Sequence, residues 1–114
     1  MIRYLKDNEK IEDIVGKDLY LVDFYADWCG PCKMFAKIAE GIDFIDILKV
    51  NVDEHKEIAE GFNIMSIPTL CYFKKGKIAK KVVGCQTVEK SKKLLRSYKK
   101  NIVLNTMFFI YYLL

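Results

Sequence analysis

A chain of 114 residues, 52% apolar and 30% charged, is long enough for one domain with its own hydrophobic core and too apolar to remain disordered. Its net charge of +4 is unevenly spread: residues 1–73 carry 8 Lys/Arg against 14 Asp/Glu, and residues 74–114 carry 11 against 1. The basic half reads as a solvated lysine-rich face or as a surface for acidic partners or anionic lipid. Nucleic acid is not expected as a partner, because only Tyr98 interleaves with the lysines and no phosphate loop is present.

Ile2 to Lys6 reads as a short strand, and Asn8 to Val15 has helical apolar spacing at Ile11, Ile14 and Val15, closed by Gly16. Leu19 to Ala26 is nearly continuously apolar, as a central strand covered on both faces requires. Pro31 to Gly41 reads as a helix with Met34, Phe35, Ile38 and Ala39 on its apolar side. A strand follows, clearest over Ile47 to Val52, then a short helix from Glu54 to Phe62. Thr69 to Phe73 and Ile78 to Val83 flank Lys74-Lys75-Gly76-Lys77, a hairpin turn, and Thr87 is placed to cap a last helix running to about Lys100. The order β-α-β-α-β-α-β-β-α implies parallel pairs among the early strands and an antiparallel hairpin at the end. That is an α/β fold with a central mixed sheet and helices on both faces.

The chemistry concentrates at Trp28-Cys29-Gly30-Pro31-Cys32, between the apolar strand and the helix. Two cysteines two residues apart can close a disulfide and open it again. The thiolate is the reactive species, and a free thiol with a pKa near ~8.5 is only slightly ionised at neutral pH. A helix N-terminus, with unsatisfied N–H groups and a positive dipole end, favours the anion. Cys29 is therefore expected as the exposed nucleophile and Cys32, one turn in, as the more buried resolving thiol. Pro31 suits the first turn, where no N–H is needed. Asp23 interrupts the apolar strand; it either turns to solvent or is buried with a raised pKa, in position to take the proton of Cys32. Pro68, in Ile67-Pro68-Thr69, opens a strand, where an ordinary trans proline is the commonest state. Met1 to Lys10 is charged and lacks the apolar run of a signal peptide, so a reducing cytoplasm is the expected compartment.

With these motifs the chain closely resembles the thioredoxin family. The matching segments are VDFYADWCGPCK at 22–33, LKVNVD at 48–53, SIPTL at 66–70, FKKGK at 73–77 and Val83-Gly84, in the family's order across about residues 1–100. The resemblance implies the thioredoxin fold and a protein-disulfide reductase, with Cys29 attacking, Cys32 resolving, Asp23 as the buried acid and Lys49 as its partner. It implies that Pro68 is cis and that Trp28, Gly30, Pro31, Ile67, Pro68 and Gly84 meet the substrate. It also implies disulfide-containing protein substrates and a thioredoxin reductase as electron donor. No cofactor is expected, nor a zinc site from all four cysteines, because Cys71 and Cys85 lack the paired spacing of zinc knuckles. Gly-Pro between the cysteines is like the reducing members. Tyr25 and Lys37 depart from the family, which often has Trp and a helix-kinking proline there. Two other readings stay open: a non-catalytic binding subunit with the same fold, and a metal or cluster held by the cysteine pair.

The remaining candidates are weaker. Cys71 is expected in the core, Cys85 is either an exposed third thiol or inert and half-buried, and His55, the sole histidine, is expected to be solvated. Residues 101–114 form an apolar extension beyond the domain; IVLNTMFFIYYLL at 102–114, as a helix, spans about 20 Å, short of the ~30 Å hydrocarbon core. Peripheral membrane contact, packing on its own domain, self-association and no role at all remain open for it.

Overall fold

A computed structural model describes residues 1–98. Its central sheet has five strands: β1 (Ile2–Tyr4), β2 (Tyr20–Tyr25), β3 (Asp46–Asn51), β4 (Thr69–Lys74) and β5 (Lys77–Val83), in the order β1-β3-β2-β4-β5. β3 lies parallel to both β1 and β2, while β4 runs antiparallel to β2 and to β5. Three helices, α1 (Ile11–Val15), α2 (Gly30–Ala39) and α3 (Lys56–Gly61), are joined by a fourth, α4, helical over 88–98. This is the mixed sheet and element order that the alternation of apolar runs implies.

Side chains alternate across a strand, so each central strand feeds two cores. Val22 and Phe24 of β2, Leu48 and Val50 of β3, and Cys71 and Phe73 of β4 pack beneath α1 and α3, against Ile11, Val15 and Ala59. Leu21, Ile47, Leu70 and Tyr72 point the other way, against Phe35 and Ala39 of α2 and Leu95 of α4. The near-continuous apolarity of β2 follows from this double burial. By the same alternation Asp23 and Lys49 lie on the α2 face, where they are direct neighbours across the β2–β3 ladder.

Local chemistry sets the element ends. Asn8 has φ 67° and Lys10 is extended, so α1 starts at Ile11 rather than at Asn8. Lys75 and Gly76, with φ 54° and 79°, form the two-residue hairpin loop, a left-handed pair whose twist suits the strands it joins. Thr87 caps α4 as expected: the Lys90 N–H donates to Thr87 Oγ1 at 3.2 Å. At the other end of the chemistry, α3 finishes against Lys81 of β5, whose Nζ donates to the carbonyls of Phe62 and Asn63, each at 3.0 Å. β5 is otherwise largely exposed, and among the described residues no helix is long and apolar enough to cross a membrane.

Candidate active site

β2 ends at Tyr25, the chain turns through Ala26 to Trp28, and α2 starts at Gly30 with Cys29 as its cap. Cys29 and Cys32 are joined by a disulfide, with Cα atoms 5.2 Å apart. The Cys32 N–H points at Cys29 Sγ, 3.2 Å away, so the cap position is filled by sulfur rather than by a hydroxyl or carboxylate. When the bond is reduced, the same donor and the helix dipole face the Cys29 sulfur and favour its anion. Pro31 occupies the first turn, as its missing N–H permits.

One expectation requires correction. Cys29 is not exposed: it is 5% accessible against 3% for Cys32. Its sulfur is drawn in over α2, 3.7 Å from the Ile67 carbonyl oxygen, and Ala26, Tyr25, Val52 and Ile67 pack around the pair. The burial expected of Cys32 alone is therefore shared by both members.

The Ile67–Pro68 peptide bond is cis, as the resemblance implies. The Pro68 carbonyl accepts from the Gly84 N–H at 2.7 Å, which ties this segment to the end of β5. Gly84 has φ 95°, a left-handed conformation that favours glycine. The structure thus gathers Cys29, Ile67, Pro68 and Gly84 at one end of the sheet. Trp28, Gly30 and Pro31 are exposed beside them. Trp28 is 71% accessible, yet its ring is held, because Nε1–H donates to Asp53 Oδ2 at 2.8 Å. Asn51 Oδ1 in turn accepts from the Asp53 N–H at 2.9 Å and shapes that loop. Neither residue was singled out in the sequence, although both lie in the quoted LKVNVD segment. Met65, 92% accessible and two residues before Ile67, was also missed; an isolated exposed methionine has no periodic signal.

Behind the disulfide, Asp23 is buried and not turned to solvent: it is 1% accessible, and neither carboxyl oxygen has a hydrogen-bond partner. Burial raises its pKa to about 6, against an opposing pull from Lys49. Lys49 Nζ lies 3.9 Å from Asp23 Oδ2, an ion pair without a hydrogen bond. A cavity of about 210 Å³ is lined by both Cys32 and Lys49, with Tyr4, Tyr25, Asp27 and Lys33 around it. Burial also raises the pKa of Tyr25, with Asp27 adding to the effect, to about 12, so its ring is neutral at physiological pH.

The other singled-out residues lie elsewhere. Cys71 is fully buried in β4, where desolvation lifts its thiol to about 11, and Cys85 is exposed. His55, expected to be solvated, is buried: the ring turns under the start of the chain and its Nε2 lies 3.0 Å from the Leu5 carbonyl oxygen. A carbonyl only accepts, so Nε2 carries the proton and donates. Among the described residues no cluster of three or more His, Cys, Asp or Glu is arranged to hold a metal ion. The apolar run at 102–114 lies outside the described residues.

Comparison with known proteins gives a consistent result. The profile of the Thioredoxin family matches residues 3–100. A thioredoxin from Staphylococcus haemolyticus is 45% identical over 87 residues, covering 72% of this chain and 84% of that protein. One from Alicyclobacillus acidocaldarius is 43% identical over 90 residues, covering 75% and 86%. Among solved structures, a mutant thioredoxin from Halobacterium salinarum superposes with a TM-score of 0.78 at 34% identity, covering 85% of this chain and 89% of its own. Oxidised thioredoxin from Plasmodium falciparum gives 0.73 at 31%, covering 86% and 98%.

Proposed function

The chain belongs to the thioredoxin family, and from that premise we propose a division of labour among the residues of its redox centre. The protein is a protein-disulfide oxidoreductase that works by dithiol/disulfide exchange through Cys29 and Cys32, and its substrates are disulfide-containing proteins. In our reading Cys29 is the attacking thiolate. It displaces one sulfur of a substrate disulfide, forming a mixed disulfide and releasing one substrate thiolate, which takes a proton from water. Cys32 then gives its proton to the Asp23 carboxylate and attacks Cys29 Sγ. The Cys29–Cys32 bond forms, the second substrate sulfur leaves as a thiolate and is protonated, and two electrons have passed to the substrate.

The observation that carries this reading is the placing of Cys29 Sγ, which accepts the Cys32 N–H in the first turn of α2 and faces the Ile67 backbone. Asp23 suits a base: with a pKa of about 6 it is mostly ionised at pH 7, yet far closer to a thiol in proton affinity than an ordinary carboxylate. Lys49 moderates that pKa. Trp28, Gly30, Pro31, Ile67, Pro68 and Gly84 make up the surface that receives the substrate segment. A thioredoxin reductase returns the two electrons, and the cytoplasm is the compartment assigned. Residues 1–100 make up the redox domain, and residues 101–114 are an extension available to an anionic membrane face or to a second copy.

Single-cysteine variants test the assignment with insulin as substrate. Cys32→Ser is expected to lose turnover and accumulate a mixed disulfide at Cys29, and Cys29→Ser to lose both. Trapping of substrate on Cys32 in Cys29→Ser, with none on Cys29 in Cys32→Ser, reverses the roles.

A further inference from the structure

Lys49 has two competing sets of partners. On one side is the Asp23 carboxylate at 3.9 Å; on the other are the Tyr25 ring, whose centre is 4.5 Å from Nζ, and the Tyr4 ring, at 5.6 Å. The arrangement follows from register. Tyr4 of β1 and Asp23 of β2 both pair with Lys49 of β3 between them, and Tyr25 lies two residues beyond Asp23 on the same face. The two rings meet edge to face, 6.3 Å apart at 75°. Two faces of negative potential thus flank an ammonium that also faces a buried anion.

We propose that Tyr4 and Tyr25 are positioning residues for the redox reaction: their rings hold the Lys49 ammonium away from hydrogen-bonding contact with Asp23, leaving the carboxyl free to accept a proton. This rests on the reading of Asp23 as the base for Cys32. Coulomb attraction in a site of low water content grows steeply at short range, so an ammonium 3.9 Å from a buried carboxylate closes on it unless something else holds it. A closed, hydrogen-bonded pair stabilises the carboxylate and weakens it as a base. Removing the ammonium altogether does the opposite and raises the carboxyl's proton affinity. The aromatic pair keeps the site between those limits. The other ionisable groups around the site enter the same balance: Cys32 and Lys33 on α2, Asp27 on the loop before it, and Glu54, whose charge reaches Tyr25. β4 contributes only Leu70 beside Asp23.

The experiment follows the Asp23 carboxyl carbon by NMR across pH in oxidised, 13C-aspartate-labelled protein, the signal being the one lost in Asp23→Asn. Tyr25→Leu keeps apolar bulk but removes the ring, and its Asp23 midpoint is expected to fall by roughly one pH unit as the ammonium closes in. Tyr4→Leu, at a residue exposed on the first strand, gives a smaller fall and replaces the first variant if that one does not fold. Tyr25→Phe retains the ring and leaves the midpoint in place. Lys49→Met raises the midpoint, and in that background Tyr25→Leu no longer lowers it. A midpoint that stays or rises in the leucine variants that fold, or a fall that persists without Lys49, overturns the proposal. If the midpoint moves as stated while the pH profile of insulin reduction does not follow it, the aromatic clamp stands and the role of Asp23 as base fails.

Discussion

Replacing Asp23 with Asn probes the central electrostatic feature through folding stability, independent of turnover. In the folded protein the carboxyl holds its proton to about pH 6; in the unfolded chain it ionises near its ordinary value of 3.8. Between those values the folded state binds the extra proton. Stability from this group is therefore full below pH 4, declines as pH rises towards 6, and stays reduced above it. The gap between 3.8 and about 6, at about 1.4 kcal/mol per pH unit, amounts to about 3 kcal/mol at neutral pH. Asn has nearly the same shape and cannot ionise, so the variant escapes that cost. Burying an amide with no partner costs about 1–3 kcal/mol of its own. That penalty is the same at every pH, so the informative quantity is a difference between pH values. Urea unfolding of oxidised wild type and Asp23→Asn, followed by far-ultraviolet circular dichroism at pH 4 and pH 7.5, is the measurement. The variant's stability relative to wild type is expected to improve by about 2 kcal/mol between the two, because at pH 4 the unfolded carboxyl is already more than half ionised. A relative stability that does not change with pH refutes the argument, because it means Asp23 ionises alike in both states.

In fully reduced protein at neutral pH, brief alkylation read by mass spectrometry is expected to label Cys29 before Cys32, and Cys71 only after unfolding, since burial holds its thiol near 11. Label arriving on Cys32 first counts against the role of the α2 N-terminus. Truncation after Lys100 is expected to leave insulin reduction within about twofold of the full chain, because every proposed site residue lies upstream; loss of the folded state on truncation moves the domain boundary into residues 101–114.

The architecture was legible because its signals are local. The unbroken apolarity of β2, the Lys75-Gly76 turn and the Thr87 cap each depend on a few neighbouring residues, and each appears where the pattern puts it. The redox pair and its strand aspartate were legible for the same reason, as a polar or reactive residue interrupting an apolar pattern. What was not legible depends on contacts between distant residues. His55 is buried because Leu5, fifty residues earlier, offers it a carbonyl. Trp28 is held by Asp53, and Cys29 is covered in part by Ile67. The environment of Lys49 required the register of three strands to be known, since Tyr4, Asp23 and Tyr25 reach it from both sides. Asn8 misled the reading of the first helix because left-handed backbone there is decided by the turn it enters.

The outer border of the sheet at β5 has a consequence for how the protein meets other chains. Lys77 and Lys80 lie along this strand, Lys74 ends β4 beside it and Lys75 lies in the turn between them. Any second strand approaching that side, including another copy of β5, must desolvate or crowd these ammonium groups; like charges within a Debye length of about 8 Å repel at physiological salt. Among the described residues nothing pairs with that margin, so the lysines act as an electrostatic fence against runaway strand addition. The sheet is insulated along β5, while the uncharged Trp28, Pro31, Ile67 and Met65 leave the disulfide end approachable. A protein that exchanges disulfides with other proteins is thereby guarded along β5 and left open at the end that carries the chemistry.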